Sequence, residues 1–271
     1  MLEVLSSEEC ENLHHLLRDI VDRESGAFVL FGSKPLCTAF IETNPKNSLH
    51  SLETGWEAWD KIKPFINRRY ILTRRGFTVM IDESKKLELQ LIVLADAKKT
   101  ASMLKKHYDF FKSFIGSDFD PHQLVFELEN PHSLFWNQIF DLENQSPKGI
   151  FNGNKACGLL FGFGLLNSTR FALEANVNKN LFRKGSLHNY GEKNLIWANF
   201  FYERGFNTFL IPGFIAFDGD TTIKKYKKER KKIQSIYKGR DFLKVTLQKF
   251  GKKKPSGEKL AKPVLKGAST P

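Results

Sequence analysis

Seven cations crowd into nine positions near the C-terminus: Lys224, Lys225, Lys227, Lys228, Arg230, Lys231 and Lys232. Such a cluster draws phosphate backbones through counterion release, and anionic lipid surfaces through the same Coulomb attraction. Lysine dominates over arginine, the usual reader of base edges, so any nucleic-acid binding would be non-specific. Apolar residues recur through the same stretch at spacings of three and four: Ile223, Tyr226, Ile233, Ile236, Tyr237, Leu243, Leu247 and Phe250. That period makes 221–250 one long basic amphipathic helix, with Gly239 as its weak point. Its apolar stripe could lie in a membrane interface or dock on the body. The bland counterpart is a solvated helix whose lysines only keep it soluble.

Other chemistry-bearing groups are sparser. Asp218-Gly219-Asp220 follows an apolar run, and a DxD there resembles the divalent-metal motif of many nucleotide-sugar transferases. The alternative is a turn in which Asp220 caps the helix that follows. Gly162-x-Gly164-x-x-Asn167 invites a dinucleotide reading, but the third glycine and a preceding strand are missing. Close packing through Gly158 and Gly162 is the better account. Cys157 with His188 makes a thiol–imidazole pair only in imagination, and Cys10 with His14 supplies two ligands at helical spacing, too few for zinc. Gly32-Ser33-Lys34-Pro35 has a lysine in a tight turn but no P-loop context. No cofactor is expected.

Composition bounds the rest. A chain of 271 residues with 41% apolar and 13% aromatic content can build a large core, which excludes wholesale disorder. Three cysteines without CxxC spacing fit a reducing compartment. The N-terminus shows neither a basic n-region nor an apolar h-region, so no signal peptide is read and a cytoplasmic location is expected. No apolar run approaches a bilayer span. The net charge of +12 is uneven. Residues 221–271 hold 17 Lys or Arg against three acids, a net of +14, which leaves residues 1–220 at −2.

The elements that must carry these groups follow from period and punctuation. Ser6 or Ser7 caps an amphipathic helix that ends near Gly26. Residues 27–31 and 36–41 read as a β-hairpin across Gly32–Pro35. Residues 43–55 read as a loop and 56–66 as a short helix with Trp56 and Trp59. Strands are expected at 70–73, 77–81 and 87–94, with a turn at Arg74-Arg75-Gly76. The last should be wet on one face early and buried on both faces later. Asp96 caps a helix over 97–115 that Gly116 closes. A strand is expected at 122–128, a helix after Asn130-Pro131, a loop at 144–154, a helix at 192–204 and extended pieces within 208–217. The stretch 155–177, with three glycines among eleven uncharged residues, reads as a buried helix that organises the core.

Three phrases carry a resemblance: Leu30-Phe31-Gly32-Ser33-Lys34-Pro35, Gly158-Leu159-Leu160-Phe161-Gly162-Phe163-Gly164, and the aromatic run from Trp197 to Tyr202. Over residues 25–220 the chain resembles uncharacterised proteins of obligate intracellular, chlamydial-type bacteria. The resemblance implies a bacterial protein acting on or within a host cell, with delivery into that cell left open, and it carries over no catalytic residue.

The fold expected is therefore α+β. One domain spans 1–220, with antiparallel strands in the first half and helices in the second around 155–177. A basic helix (221–250) and a disordered basic tail (251–271) are appended. The function expected is a non-enzymatic binding module whose lysine-rich helix contacts an anionic partner, either nucleic acid or an acidic membrane surface. Two alternatives stay open: a metal-dependent transferase using Asp218 and Asp220, and a structural subunit that pairs with another protein chain through the C-terminal helix.

Overall fold

The computed structural model describes residues 1–42, 46–80, 86–130, 133, 147–170, 172–173, 195–197, 209, 211–212, 215–217 and 220–251. The fold is α+β. Three antiparallel strands, β1 (Leu36–Glu42), β2 (Tyr70–Met80) and β3 (Lys86–Asp96), form a sheet in the order β1-β3-β2. β2 and β3 make a long hairpin, with Tyr70 opposite Asp96 and Met80 opposite Lys86. β1 joins the other edge of β3, Leu36 opposite Ala95.

β3 is central because its sequence suits both faces. Leu91 to Ala95 are all buried, whereas Glu88 is exposed and Leu89 and Gln90 are half-buried. Alternate residues then feed two cores. Cys37, Ala39, Leu72, Ile92 and Leu94 face one core, shared with α1 (Ser7–Arg18), α2 (Gly26–Phe31) and α3 (Lys46–Ile62). Leu36, Ile71, Leu91, Val93 and Ala95 face the other. That side is completed by α4 (Ala97–Lys106), α5 (Tyr108–Ile115), α6 (Pro121–Phe126) and α7 (Pro147–Leu160).

Local signals set the helix ends. Ser6 and Glu9 form a reciprocal capping box at α1, with Oγ of Ser6 accepting from Glu9 N at 3.1 Å. Asp96 and Asp120 cap α4 and α6, and Gly116 closes α5 at φ +84°.

Several expected elements differ. Residues 27–31 form helix α2, not a strand, so the 27–41 hairpin does not exist. Ala27 to Leu30 are buried and Phe31 half-buried, and a short, wholly apolar run has no period to separate helix from strand. The loop expected at 43–55 belongs largely to α3, and Arg74-Arg75-Gly76 continues β2 rather than turning. Arg74 stays extended because Glu53 of α3 takes its guanidinium in two hydrogen bonds, of 2.7 and 2.9 Å. The helix expected over 97–115 breaks at His107. The strand expected at 122–128 is α6 and a 3-10 turn, started by Asp120 and Pro121. The 144–154 loop is mostly the start of α7. Within the helix expected at 192–204, Leu195–Trp197 instead pairs as a strand with Ile215–Phe217. An apolar triplet fits either period, and a ladder partner decides it. The helix expected after Asn130-Pro131 lies outside the described residues.

The buried helix expected over 155–177 is also broken. α7 stops at Leu160, the chain turns at Gly162 (φ +79°) and Gly164 (φ +83°), and α8 follows at 165–170. A Cβ on Gly162 would sit 2.9 Å from both Pro35 Cδ and Tyr226 Oη, so that turn tolerates only glycine. Gly158 does what its type suggested, lying against the Ser168 backbone, where a Cβ would be 3.0 Å from Cα.

The basic segment is α9 (Thr221–Tyr237) and α10 (Phe242–Phe250) rather than one helix. Gly239 turns at φ +67° and Asp241 caps α10 through Lys244 N at 2.8 Å. Tyr237 and Phe242 stack across the break, with ring centroids 5.3 Å apart. Neither helix is an outlying arm. Tyr226, Ile233, Tyr237, Phe242, Leu243, Val245, Leu247 and Phe250 lie in the same core as α1–α3. At about 2 kcal/mol each these eight side chains contribute roughly 16 kcal/mol as an upper bound, as much as a whole domain's net stability. Past Gly251, which bridges to Ile66, the expected tail lies outside the described residues.

At the end of β3 the Asp96 carboxylate has no exposure. It accepts from Arg69 Nε (3.0 Å) and Nη2 (2.8 Å), pairs with Lys99 Nζ at 3.1 Å and caps α4. Burial pushes its carboxyl up, but the Arg69 hydrogen bonds and the Lys99 charge outweigh burial and hold it below the usual value. A depressed native pKa stabilises the fold above the unfolded value, near pH 4, and this is lost as pH falls through the native value. Asp96→Ala, which strands Lys99 and Arg69, is expected to cost about 3 kcal/mol in urea unfolding at neutral pH. The gap to the native protein should shrink as the medium is acidified below about pH 4.

Candidate anion-binding face

α9 starts where Asp220 caps it, its Oδ1 accepting from Thr222 N. Tyr226, Ile233 and Tyr237, at i, i+7 and i+11, define the buried side. At 100° per residue, Lys224, Lys225, Lys227, Lys228, Lys231 and Lys232 spread over an arc from about 100° to 260° away from Tyr226, centred opposite the core. All six are exposed. Lys225 Nζ rests 5.3 Å from the Tyr226 ring centroid, and among the described residues no carboxylate pairs with any of the six. Arg230 is half-buried at the margin of this ridge and engaged elsewhere.

Sequence reasoning missed Glu229, the one acid of α9. Its Oε2 accepts from Ser33 N at 3.1 Å, and a Cβ on Gly32 would run into the same carboxylate. The Gly32-Ser33 corner between α2 and β1 therefore holds the acid, half-buried, at the inner margin of α9, where no ridge lysine among the described residues pairs with it. The signal was its isolation: a lone acid among lysines has a reason to be there. Tyr226 Oη donates to the Phe161 and Gly162 carbonyls, both at 3.2 Å, which fixes the other side of α9 to the glycine turn.

The remaining candidates resolve one by one. Both oxygens of Asp220 are engaged, Oδ2 accepting from Asn167 Nδ2 at 3.1 Å, as the capping reading requires. Asp218 lies outside the described residues. Among the described residues no group of three or more His, Cys, Asp or Glu is placed to hold a metal. Burial drives the Cys157 thiol up to about 12, the opposite of nucleophilic activation, and His188 is outside the described residues. His14 Nε2 accepts from Arg18 Nε at 3.2 Å rather than standing open beside Cys10, and burial followed by the Arg18 charge lowers its pKa.

Lys34 is buried, with its ammonium 5.3 Å from the Phe161 ring and 5.9 Å from the Phe163 ring, so it faces no phosphate. Burial lowers its pKa. A cleft of about 740 Å³ beside Ile66 and Tyr70 mixes signs, with Lys63 paired to Glu129 at 3.3 Å, and gathers no convergent catalytic set. The pairing of α9 with another chain loses its apolar face, because that stripe is buried within this one.

Comparison with known proteins returns no matching family model, no matching curated protein and no matching solved structure. Among the described residues, no helix is long and apolar enough to cross a membrane.

Glu229→Ala removes the acceptor of a partly buried backbone N–H. It is expected to lower stability by about 1–2 kcal/mol in thermal or urea unfolding, while leaving the ridge lysines in place.

Proposed function

We propose that the chain is a non-enzymatic binding module that engages an anionic partner through the lysine ridge of α9. The observation that carries this reading is the arrangement of charge on α9. Six lysines point away from the core, and the only acid of the helix is turned inward. A ridge fixed on a rigid core loses little conformational freedom on binding beyond that of its own side chains. Exposed lysines act as point charges, so affinity is electrostatic, sequence-independent and steeply dependent on salt.

Removing the helix does not test this, because Tyr226, Ile233 and Tyr237 would leave the core with it. Charge reversal in the full chain does. The native protein is expected to bind heparin, a soluble polyanion, in about 50 mM salt and to release it progressively as salt screens the charges. Lys224→Glu/Lys228→Glu/Lys231→Glu, all at exposed positions, is expected to weaken binding by about tenfold or more with no change in melting temperature. Native protein that ignores heparin at low salt, or a reversed ridge that binds equally well, removes this reading.

A further inference from the structure

α8 is built inside out. Two of its polar residues are inside: Asn167 and Ser168 are buried, at 3% and 0% exposure, with Ala172 beyond them at 0%, while Thr169 and Arg170 are half-buried. Its large apolar residues are outside: Leu165, Leu166 and, just past it, Leu173 are 51%, 64% and 48% exposed. Leu166 and Leu173 are seven apart and share a face, while Ser168 and Ala172 share another. A lone exposed leucine calls for no explanation, but a cluster of three on an element that buries two polar side chains does. The other exposed large apolar residues among those described, Val4, Phe40, Phe65 and Phe126, are spread over the N-terminus, β1, the end of α3 and α6.

The inversion is held by specific bonds. Asn167 Nδ2 donates to Phe163 O at 3.0 Å and to Asp220 Oδ2 at 3.1 Å, and Ser168 Oγ donates to Gly164 O at 2.7 Å. The Asp220 bond fastens α8 to the first turn of α9. Lys224, four residues on, lies only about 6 Å further along the helix axis. The helix that carries the three leucines is thus joined to the head of the helix that carries the lysine ridge.

Building on the polyanion reading, we propose that the partner is an anionic lipid bilayer surface, met by both features at once. The lysines of α9 contact lipid phosphates and carboxylates, and Leu165, Leu166 and Leu173 enter the interfacial zone beneath the headgroups. A nucleic-acid duplex offers the lysines their phosphates but gives the leucines no apolar surface, whereas a bilayer interface satisfies both. The apolar stripe of α9 is buried in the core, so the apolar part of the contact has to come from another element, and among the described residues α8 exposes a cluster of three leucines. The protein lies on the surface without crossing it, in keeping with the absence, among the described residues, of a helix able to span a membrane.

The test uses the full chain and its variants with phosphatidylcholine vesicles, the same vesicles containing phosphatidylserine, a 20-base-pair duplex and heparin. The native protein is expected to bind the phosphatidylserine vesicles and not the neutral ones, with part of the binding surviving salt that abolishes heparin binding. Leu165→Ser/Leu166→Ser/Leu173→Ser is expected to lose that salt-resistant part and about tenfold or more in vesicle affinity. Its heparin affinity and melting temperature should be unchanged, and the Leu→Ile triple variant should retain vesicle binding. A serine variant that binds vesicles like the native protein, or a native protein that binds the duplex and not the vesicles, overturns the bilayer inference and leaves the polyanion reading standing. Failure to bind heparin as well removes both.

Discussion

A carboxylate without solvent at the end of a central strand has to be matched, and the fold around β3 is arranged to do that. Asp96 closes the sheet, accepts hydrogen bonds from two nitrogens of Arg69, just before β2, forms an ion pair with Lys99, and caps α4. Its own N–H donates to Pro35 O at 2.9 Å, and the Lys99 ammonium reaches Val29 O, so β1 and α2 are tied to the same point. An unpaired carboxylate here would cost several kcal/mol. With its partners present, one group fixes where a strand ends, where a helix begins and how α2 meets the sheet. The helices on both faces of the sheet are then positioned relative to one strand whose side chains alternate between two cores.

That frame explains why the basic C-terminal segment behaves as structure as well as surface. α9 lies on α2, with Phe28 against Tyr226 and Phe31 against Tyr237, both edge-on at 5.5–5.6 Å. α10 places Phe250 between Trp59 and Tyr70. Burial of that extent outweighs the mutual repulsion of exposed lysines in water, which is weak at high dielectric and screened by salt. The ridge is therefore stable as a dense, single-sign surface, a state that a free helix of the same sequence would resist by fraying. Glu229 is held on Ser33 N, and among the described residues it forms no ion pair with a ridge lysine.

The glycine turn links the two surfaces. Gly162 and Gly164 adopt left-handed φ values, reverse the chain after α7 and let Tyr226 Oη approach two carbonyls. The reversal brings Asn167 to Asp220 and so joins α8 to the first turn of α9. A polar interior and an apolar exterior on a short helix run against the usual direction of the hydrophobic effect, and the bonds from Asn167 and Ser168 make that orientation stable.

Much of the skeleton was legible in the residues themselves. The serine cap of α1, the caps at Asp96 and Asp220, the Gly116 stop and the wet-to-dry pattern of β3 are local chemistry, and local chemistry is written in sequence order. The lysine cluster and its helical spacing were equally plain. Other features depended on contacts between residues far apart in the chain. The apolar run of α2 had no period to distinguish helix from strand until the sheet and α9 enclosed it. Arg74-Arg75-Gly76 read as a turn until Glu53 took the Arg74 guanidinium. The glycines of 158–164 looked like a helix face until Tyr226 and Pro35 filled the space a side chain would need. Whether the basic segment hung free or docked was a question of which aromatic rings it met. Composition determined that this chain carries a strongly cationic end. Only tertiary packing, by burying one side of α9 and turning Glu229 inward, decided that the charge faces outward from a fixed surface.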